Sequence, residues 1–350
     1  MYNEGMNKHG SPERQPHQPT RSRFLSRRTL FSVAVVAVLL GAAGVIAIVT
    51  NRNWDGMAEA GVSRLRLDDI PFGGARAYDY LKQLCQLGPR RSGSPGMQAQ
   101  QRLLAEHFTK LGAQVEFQRF DYPHPVDGKA VPIANLIVHW HPQSTDRILL
   151  ATHYDTLPYP LRDRSNPRGR FVGANDGGSG TALLMEFGHE MPRLATRYGV
   201  DFVFFDAEEF IFQEDGKYFV GSEHFARQYA RGNPPYRYRW GILLDMVGDA
   251  ELQIYQERLS IGWPDTRPLV DDLWATARRL GVREFIFQSK HEVRDDHLPL
   301  HDLAGIPTCD LIDFDYPYWH TEADTPERCS ALSLAKVGWV LLEWLRKADR

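Results

Sequence analysis

The chain has 350 residues, of which 43% are hydrophobic and 24% charged, and its formal net charge is −3 at pH 7. This composition is ordinary for a globular protein of one large domain or two, and the small charge gives no general attraction to nucleic acid or to an anionic membrane. Three cysteines are too few for a disulfide framework, although one bridge can form, and Cys309 with Cys329 is the favoured pair.

The first 28 residues are polar and basic, with six lysines and arginines against two glutamates. Such a composition cannot bury a core, so residues 1–28 are predicted to be disordered. Residues 29–50 follow as 22 residues without a charge, rich in Val, Ala, Leu, Ile and Gly. A bilayer-spanning helix needs about 20 such residues, and residues 29–50 are therefore predicted to be a transmembrane anchor.

The charges flanking this apolar run predict its orientation. Arg27 and Arg28 stand directly before it and only Arg52 follows closely, so the positive-inside rule leaves the N-terminus in the cytoplasm and exports residues 51–350. A cleaved signal peptide is the alternative, because the Ser-Arg-Arg before the run resembles a twin-arginine signal and Ala-Glu-Ala at 58–60 would serve for cleavage. The length of the run favours an uncleaved anchor with the catalytic part exported; cleavage would give a secreted protein.

Residues 51–73 show no sustained periodicity and are predicted to be a linker. Helical and strand-like segments alternate after it. The predicted helices are residues 75–87, 95–111, 180–194, 218–229, 265–280 and 330–346. The predicted strands, rich in branched and aromatic side chains, are residues 115–120, 133–140, 147–153, 200–206, 240–246, 285–288 and 308–312. This order predicts a single α/β domain at residues 74–350, with a mostly parallel mixed central β-sheet flanked by helices.

The strand predicted at residues 200–206 ends in a group of acids. Its residues are almost wholly apolar, β-branched or aromatic, which suits a strand covered on both faces. Asp206, Glu208 and Glu209 then follow at the carboxyl edge of the predicted sheet, where α/β folds bind ligands. Neighbouring glutamates repel each other, so ionising both requires a cation or a large difference between their pKa values. A solvated acidic turn is the alternative.

Four further loops carry residue types that bind metal ions. His153 and Asp155 follow one predicted strand, Asp176 stands in the glycine-rich loop 173–180, Asp245 ends another strand, and His320 lies in a late loop. Each has an ordinary explanation when taken alone, as a surface pair or a turn residue. Carboxylates and imidazoles without cysteine are the ligands of a catalytic zinc site, with three protein ligands and one open position. As a set on successive strands, they predict such a site.

These segments together resemble the zinc aminopeptidase (M28) superfamily, and within it the glutaminyl-peptide cyclotransferase branch, the glutaminyl cyclases. The likeness spans roughly residues 75–346. It is carried by the sequences Ala-Thr-His-Tyr-Asp at 151–155, Phe-Phe-Asp-Ala-Glu-Glu at 204–209, Leu-Leu-Asp-Met-Val-Gly at 243–248, Asp-Asp-His-Leu-Pro-Leu at 295–300 and Trp-His-Thr at 319–321.

The resemblance implies roles for particular residues. Asp176, Glu209 and His320 would bind one zinc ion, and Glu208 would be the general acid and base. The remaining implied residues act beside them: Asp245 and Asp295 as a hydrogen-bonded carboxylate network, and Trp319 as a wall of the substrate pocket. Neighbouring aromatic residues such as Tyr318 can help to enclose a small polar side chain, although core packing is an equal alternative for them.

The implied reaction converts the N-terminal glutamine of a peptide or protein into pyroglutamate, with release of ammonia. An M28-type aminopeptidase is the alternative, since His153 and Asp245 would then hold a second zinc ion, with Asp176 bridging the two. Both branches keep these residues, so their presence does not decide between the activities. A third hypothesis is a non-catalytic, membrane-tethered binding ectodomain, which predicts the loss of a ligand or of Glu208.

Overall fold

The computed structural model describes residues 62–347. The predicted basic tail, the apolar run at 29–50 and residues 51–61 of the predicted linker lie outside these residues. Among residues 62–347, no helix is both long enough and apolar enough to cross a membrane. Ile70 and Phe72, which precede the predicted start of the domain at residue 74, are buried in its hydrophobic core.

Strands and helices alternate along most of the described chain. Its strands are β1 (Gln114–Pro123), β2 (Ala130–Trp140), β3 (Asp146–His153), β4 (Gly199–Phe205), β5 (Arg237–Asp245), β6 (Ile254–Gln256), β7 (Phe285–Ser289) and β8 (Thr308–Ile312). Its helices are α1 (Gly74–Gln86), α2 (Pro95–Lys110), α3 (Gly178–Phe187), α4 (Val220–Gly232), α5 (Arg258–Gly262), α6 (Arg267–Leu280), α7 (His297–Asp302) and α8 (Ala331–Lys347).

Six of the strands form a mixed central sheet in the order β1-β2-β4-β3-β5-β8. The strands β4, β3, β5 and β8 are parallel, whereas β1 and β2 pair antiparallel along one side. All seven residues of β4 are buried, which its uninterrupted apolar sequence predicts for a central strand covered on both faces. The predicted single α/β domain with a mixed sheet and flanking helices is confirmed, and the carboxyl ends of its parallel strands meet at one edge.

A buried network of charged and polar side chains lies at the opposite edge of the sheet, where the parallel strands begin. Asp201 accepts hydrogen bonds from Nε of Arg147 at 2.8 Å and from the Tyr238 hydroxyl at 2.6 Å, and Nδ1 of His139 lies 2.8 Å from it. Asp201 and Arg147 are almost completely buried. Removing one partner of such a pair costs about 3–5 kcal/mol, because the other charge stays buried without compensation. The network therefore fixes the starts of β3, β4 and β5 relative to β2.

Two expectations from the sequence differ from the structure. The helix predicted at 180–194 ends at Phe187, and a separate turn of 3₁₀ helix follows at Met191–Arg193. The bridge that the sequence allowed between Cys309 and Cys329 does not form in this structure: both thiols are free and buried, as is that of Cys85. Cys309 lies within β8 and is completely enclosed by the core, so it packs as a small apolar side chain.

Candidate active site

The carboxyl edge of the parallel strands brings together the residues singled out in the sequence. His153 is the last residue of β3 and Asp245 is the last residue of β5. Glu208 and Glu209 follow β4 in a tight turn. These four residues are at most 8% exposed, so the fold collects three carboxylates and one imidazole in a buried space.

Asp176, Glu209 and His320 form one compact group of possible metal ligands. Nε2 of His320 lies 2.8 Å from Oε1 of Glu209 and 3.6 Å from Oδ2 of Asp176. Each residue offers one ligand atom, and these atoms all lie within 4.8 Å of one another. Oδ2 of Asp176 is buried without a hydrogen-bond partner, which is costly unless a cation binds it. Two carboxylates and one imidazole fit a catalytic zinc ion with an open coordination position.

Asp176 is shared with a second group, formed with His153 and Asp245. Nε2 of His153 lies 3.2 Å from Oδ1 of Asp176 and 3.2 Å from Oδ1 of Asp245. The two oxygens of Asp176 thus face two different histidines, His153 and His320. This is the arrangement expected of a carboxylate between two cation positions, and it is compatible with one ion or with two.

Asp155 fixes the turn that carries the two glutamates. Its two carboxylate oxygens accept the backbone N–H groups of Glu208 and Glu209, each at 3.1 Å. Ala207 within this turn has a φ of 60°, a left-handed conformation that a non-glycine residue adopts only when its surroundings impose it. Oε2 of Glu209 in turn accepts the N–H of Leu157 at 3.2 Å. The turn is therefore held in one conformation from both sides.

The glycine-rich loop before α3 passes very close to His153. Gly173 and Gly177 have φ values of 50° and 70°, and a Cβ added to Gly177 would lie 2.8 Å from Cε1 of His153. A glycine is needed at position 177 for two reasons: the backbone has a positive φ, and any side chain would collide with His153. The loop therefore reaches the metal-binding space only because its backbone carries no side chain there.

Two buried charged residues hold this loop from behind, and neither was singled out in the sequence. Asp324 accepts the N–H groups of Asn175 at 2.8 Å and Asp176 at 3.2 Å, and the hydroxyl of Tyr316 at 2.7 Å. Arg90 is completely buried and donates to the carbonyls of residues 172 and 173, where the loop begins. Both lie in short loops without an apolar pattern, so only their burial reveals the role.

Glu208 lies beside the three proposed zinc ligands and is not one of them. Its Oε2 is 3.9 Å from Nδ1 of His153. Burial raises the pKa of Glu208 well above its ordinary value; the cation of His153 opposes this rise, and the carboxylate of Glu209 adds to it. Burial and the Asp176 carboxylate likewise raise the pKa of Glu209. A cation bound by Asp176 and Glu209 would instead lower the pKa of Glu209, because its charge stabilises both carboxylates.

The predicted partner Asp295 lies near Asp245, and the interaction between them is electrostatic. Burial raises the pKa of Asp295 well above its ordinary value, and the Asp245 carboxylate raises it further. Oδ1 of Asp295 accepts the N–H of Asp296, and Oδ2 is buried without a hydrogen-bond partner. Asp296 itself accepts a hydrogen bond from the hydroxyl of Ser222. The carboxylates of Asp245 and Asp295 are therefore neighbours, as the resemblance implied, but Oδ2 of Asp295 makes no hydrogen bond.

A deeper pair joins Asp310, which the sequence analysis missed, to His297, which lies in the Asp-Asp-His sequence at 295–297. Asp310 lies in β8 with both carboxylate oxygens buried and unpartnered, and Nδ1 of His297 is 3.9 Å away. Burial lowers the pKa of His297 to about 3 and raises that of Asp310 well above its ordinary value. An aspartate inside an apolar strand was the available signal. His297 is accordingly neutral at neutral pH, and burial favours the neutral form of Asp310.

Aromatic residues cover the side of the centre at His320. The Trp319 ring lies 4.2 Å from the His320 ring, and Phe171 meets the same imidazole edge-on at 6.3 Å. Tyr318 instead packs against the Tyr316 ring at 5.5 Å and under the guanidinium of Arg328. Of the two predicted pocket residues, Trp319 is thus the one in contact with a proposed ligand.

The comparisons with known proteins agree with this geometry. Residues 135–345 match the sequence profile of peptidase family M28. The fold is similar to that of a glutaminyl cyclase from Fimbriiglobus ruber, with 41% identity and a TM-score of 0.76 over 79% of this chain and 95% of that chain. A glutaminyl cyclase from Porphyromonas gingivalis is 30% identical, with a TM-score of 0.73 over 80% of this chain and 99% of that chain.

Peptidases are also among the similar proteins. A zinc-dependent exopeptidase from Parabacteroides distasonis is 30% identical, with a TM-score of 0.73 over 78% of this chain and 97% of that chain. Aminopeptidase YwaD of Bacillus subtilis is 26% identical over 206 residues, which cover 55% of this chain and 39% of that protein. The chain therefore aligns with well under half the length of this curated relative.

Proposed function

Since the chain belongs to peptidase family M28, we propose that it is a zinc-dependent glutaminyl-peptide cyclotransferase, which converts the N-terminal glutamine of peptides or proteins into pyroglutamate and ammonia. The observation that carries this proposal is its 41% identity to a glutaminyl cyclase over 95% of that chain. The compact group of Asp176, Glu209 and His320 supports it as a zinc site. Zinc bound there would supply Lewis-acid polarisation of the side-chain amide carbonyl.

Glu208 is the residue that we propose moves the proton. In the reaction the α-amino nitrogen bonds to the side-chain amide carbon, and the bond from that carbon to the amide nitrogen breaks. The attacking nitrogen loses one proton and the departing nitrogen gains one, so a single carboxyl group can carry it between them. Glu208 is 7% exposed and lies beside Glu209 without being one of the three proposed ligands. Its raised pKa helps it to hold the proton between the two steps.

Apolar residues near the centre would keep the glutamine folded for ring closure. Leu157, Phe171 and Ile211 form a buried cluster, and Phe171 touches His320. The Trp319 ring also packs against the His320 ring. Because the nucleophile is already part of the substrate, orientation and exclusion of water are the main tasks left to these side chains.

The proposal is tested by the mass of the product. The purified, zinc-loaded full chain is incubated with a peptide that begins with glutamine, and the expected product has lost one ammonia. Glu208→Gln is expected to lower the rate by about 10²–10⁴-fold with an unchanged zinc content. Glu251→Gln, at an exposed position outside the proposed site, is the control and is expected to keep the wild-type rate. An undiminished rate in Glu208→Gln would remove this residue as the proton carrier.

An aminopeptidase remains the second candidate because of one specific observation. His153, Asp176 and Asp245 offer a second set of ligand atoms within reach of a single ion. In that case two zinc ions would bind per chain, and Glu208 would deprotonate a water molecule. Loss of a whole residue from the peptide, with two zinc ions per chain, would support this candidate against the cyclase.

For the location of the enzyme, we propose that residues 29–50 anchor the chain in a membrane, with the catalytic domain on the exported side. The support is the uncharged run of 22 residues and the pair Arg27 and Arg28 before it. The full chain is expected in a carbonate-washed membrane fraction, with its domain accessible to protease from the exported side. Recovery of the domain in a soluble, N-terminally shortened form would instead identify a cleaved signal.

A further inference from the structure

A short segment, residues 157–162, is tied at both ends to proposed zinc ligands. The N–H of Leu157 donates to Oε2 of Glu209 at 3.2 Å, and the N–H of Arg162 donates to the carbonyl of His320 at 3.1 Å. The segment must therefore run along the border of the site. Its position is fixed by the same residues that would fix the metal.

Arg162 projects its charge over the aromatic wall of the site. Its guanidinium lies 3.9 Å from the centroid of the Trp319 ring, and that ring lies 4.2 Å from the His320 ring. Stacking on an indole is a cation–π contact that orients the planar guanidinium. The Arg162 side chain is 49% exposed. It thus combines a fixed position with access from solvent.

Tyr159, an aromatic residue within this segment, also packs against arginines. The guanidinium groups of Arg91 and Arg168 lie 5.0 Å and 5.8 Å from the centroid of the Tyr159 ring. Residues 161–170 include four arginines and a single acid, Asp163. Both carboxylate oxygens of Asp163 already accept N–H groups of the surrounding loops. Arginines therefore predominate in this stretch of the border, although the Glu322 carboxylate, which accepts the N–H of Arg170, lies against it.

Glu214 is the acidic residue that pairs with Arg162. Its Oε1 lies 3.7 Å from Nε of Arg162, and the Glu214 side chain is 65% exposed. Exposed pairs of this kind contribute little, because solvent and salt screen them. A carboxylate of a bound substrate can replace Glu214 at small cost, and it can use both nitrogens of the arginine fork.

We propose that Arg162, held on Trp319, binds an acidic side chain that directly follows the N-terminal residue of the substrate, so that peptides beginning Gln-Glu or Gln-Asp are preferred. The inference rests on the proposed function, because it places the glutamine at His320 and Trp319. The guanidinium is at most about 8 Å from the His320 ring (4.2 Å to the Trp319 ring and 3.9 Å beyond it), a span that one extended residue and its acidic side chain can cover. Arg91 and Arg168 then favour further acidic residues along the border.

The experiment compares three peptides that differ only at the second residue, Gln-Glu, Gln-Ala and Gln-Lys. The zinc-loaded full chain is expected to turn over Gln-Glu with a kcat/KM about threefold to fivefold above that of Gln-Ala, with Gln-Lys the poorest. This preference should shrink when the ionic strength is raised from about 0.05 M to about 0.5 M, since the contact is exposed. A preference for Gln-Lys in the wild type would overturn the proposal.

Substitutions at Arg162 assign the preference to this residue. Arg162→Gln is expected to bring the ratio of Gln-Glu to Gln-Ala close to one, and Arg162→Glu to make Gln-Lys the best of the three. Arg279→Gln, at an exposed position of α6, is the control and should keep the wild-type ratio. An unchanged ratio in both Arg162 variants would overturn the proposal, whatever the absolute rates.

A binding measurement separates this inference from the proposed function. The same peptides are titrated into zinc-loaded Glu208→Gln, and their Kd values are compared with those for Glu208→Gln combined with Arg162→Gln. Failure of every peptide to release ammonia would reject the cyclase activity but leave this comparison intact. A Kd ratio between Gln-Glu and Gln-Lys that does not depend on Arg162 would reject the inference even if the cyclase activity is present.

Discussion

Replacing Gly177 by alanine tests whether the backbone of the glycine-rich loop positions His153. Gly177 has a φ of 70°, and a Cβ there would lie 2.8 Å from Cε1 and 3.0 Å from Nδ1 of His153. The left-handed conformation costs an alanine about 1–2 kcal/mol. Forcing the imidazole aside adds about 1–3 kcal/mol, as for other overpacked sites. Gly177→Ala is therefore expected to lower the free energy of unfolding by about 2–5 kcal/mol.

Gly281 provides a control with the same backbone conformation and no neighbour. Its φ is 75°, and no atom lies within 4 Å of an added Cβ, so Gly281→Ala should lose only the conformational part, about 1–2 kcal/mol. Urea denaturation at neutral pH measures both losses, and zinc content and kcat/KM are measured on the folded variants. Only Gly177→Ala is expected to lose zinc affinity and activity. Equal destabilisation of the two variants, with activity retained in both, would refute the reasoning.

Three further perturbations have defined outcomes. Asp155→Asn leaves one of the N–H groups of residues 208–209 without its acceptor, so urea denaturation should show a loss of about 2–4 kcal/mol, and an unchanged midpoint would contradict the assigned contacts. Burial lowers the pKa of His297 to about 3, so its contribution to stability is present above pH 6.5 and is lost as the pH falls toward 3, by up to about 1.4 kcal/mol per pH unit. His297→Gln should therefore lose less stability than the wild type between pH 7 and pH 5. Parallel losses in the two proteins would argue against a neutral buried imidazole. Zinc at about 100 times its Kd should stabilise the chelator-treated wild type by about 2.7 kcal/mol, whereas His320→Ala should respond far less at the same zinc concentration; an equal response would exclude His320 as a ligand.

Seven of the eight described strands and the grouping of the proposed ligands could be predicted because their signals are local, whereas the short strand β6 was missed. The strand predicted at 308–312 matches β8 residue for residue, and β4 begins and ends within one residue of its prediction. Apolar runs bounded by turn residues determine such segments without reference to the rest of the chain. Since parallel strands present their carboxyl ends at one edge, the acids and histidines that end them were expected to meet.

Features that depend on distant contacts could not be predicted in the same way. The strand order of the sheet and the early end of α3 at Phe187 follow from how segments far apart in the chain pack together. The two cysteines, Cys309 and Cys329, illustrate the same limit, because their spacing allowed a bridge that the fold does not form. Buried charges such as Arg90 and Asp324 carry no pattern in the sequence that separates them from surface residues.

The order of the proposed ligands along the chain has a consequence for biosynthesis. Asp176 and Glu209 precede His320 by 144 and 111 residues in the chain. During synthesis the two acids therefore emerge from the ribosome long before the imidazole, and until then the proposed three-ligand zinc site is incomplete. Molecules that end before residue 320 should therefore lack the zinc site of Asp176, Glu209 and His320.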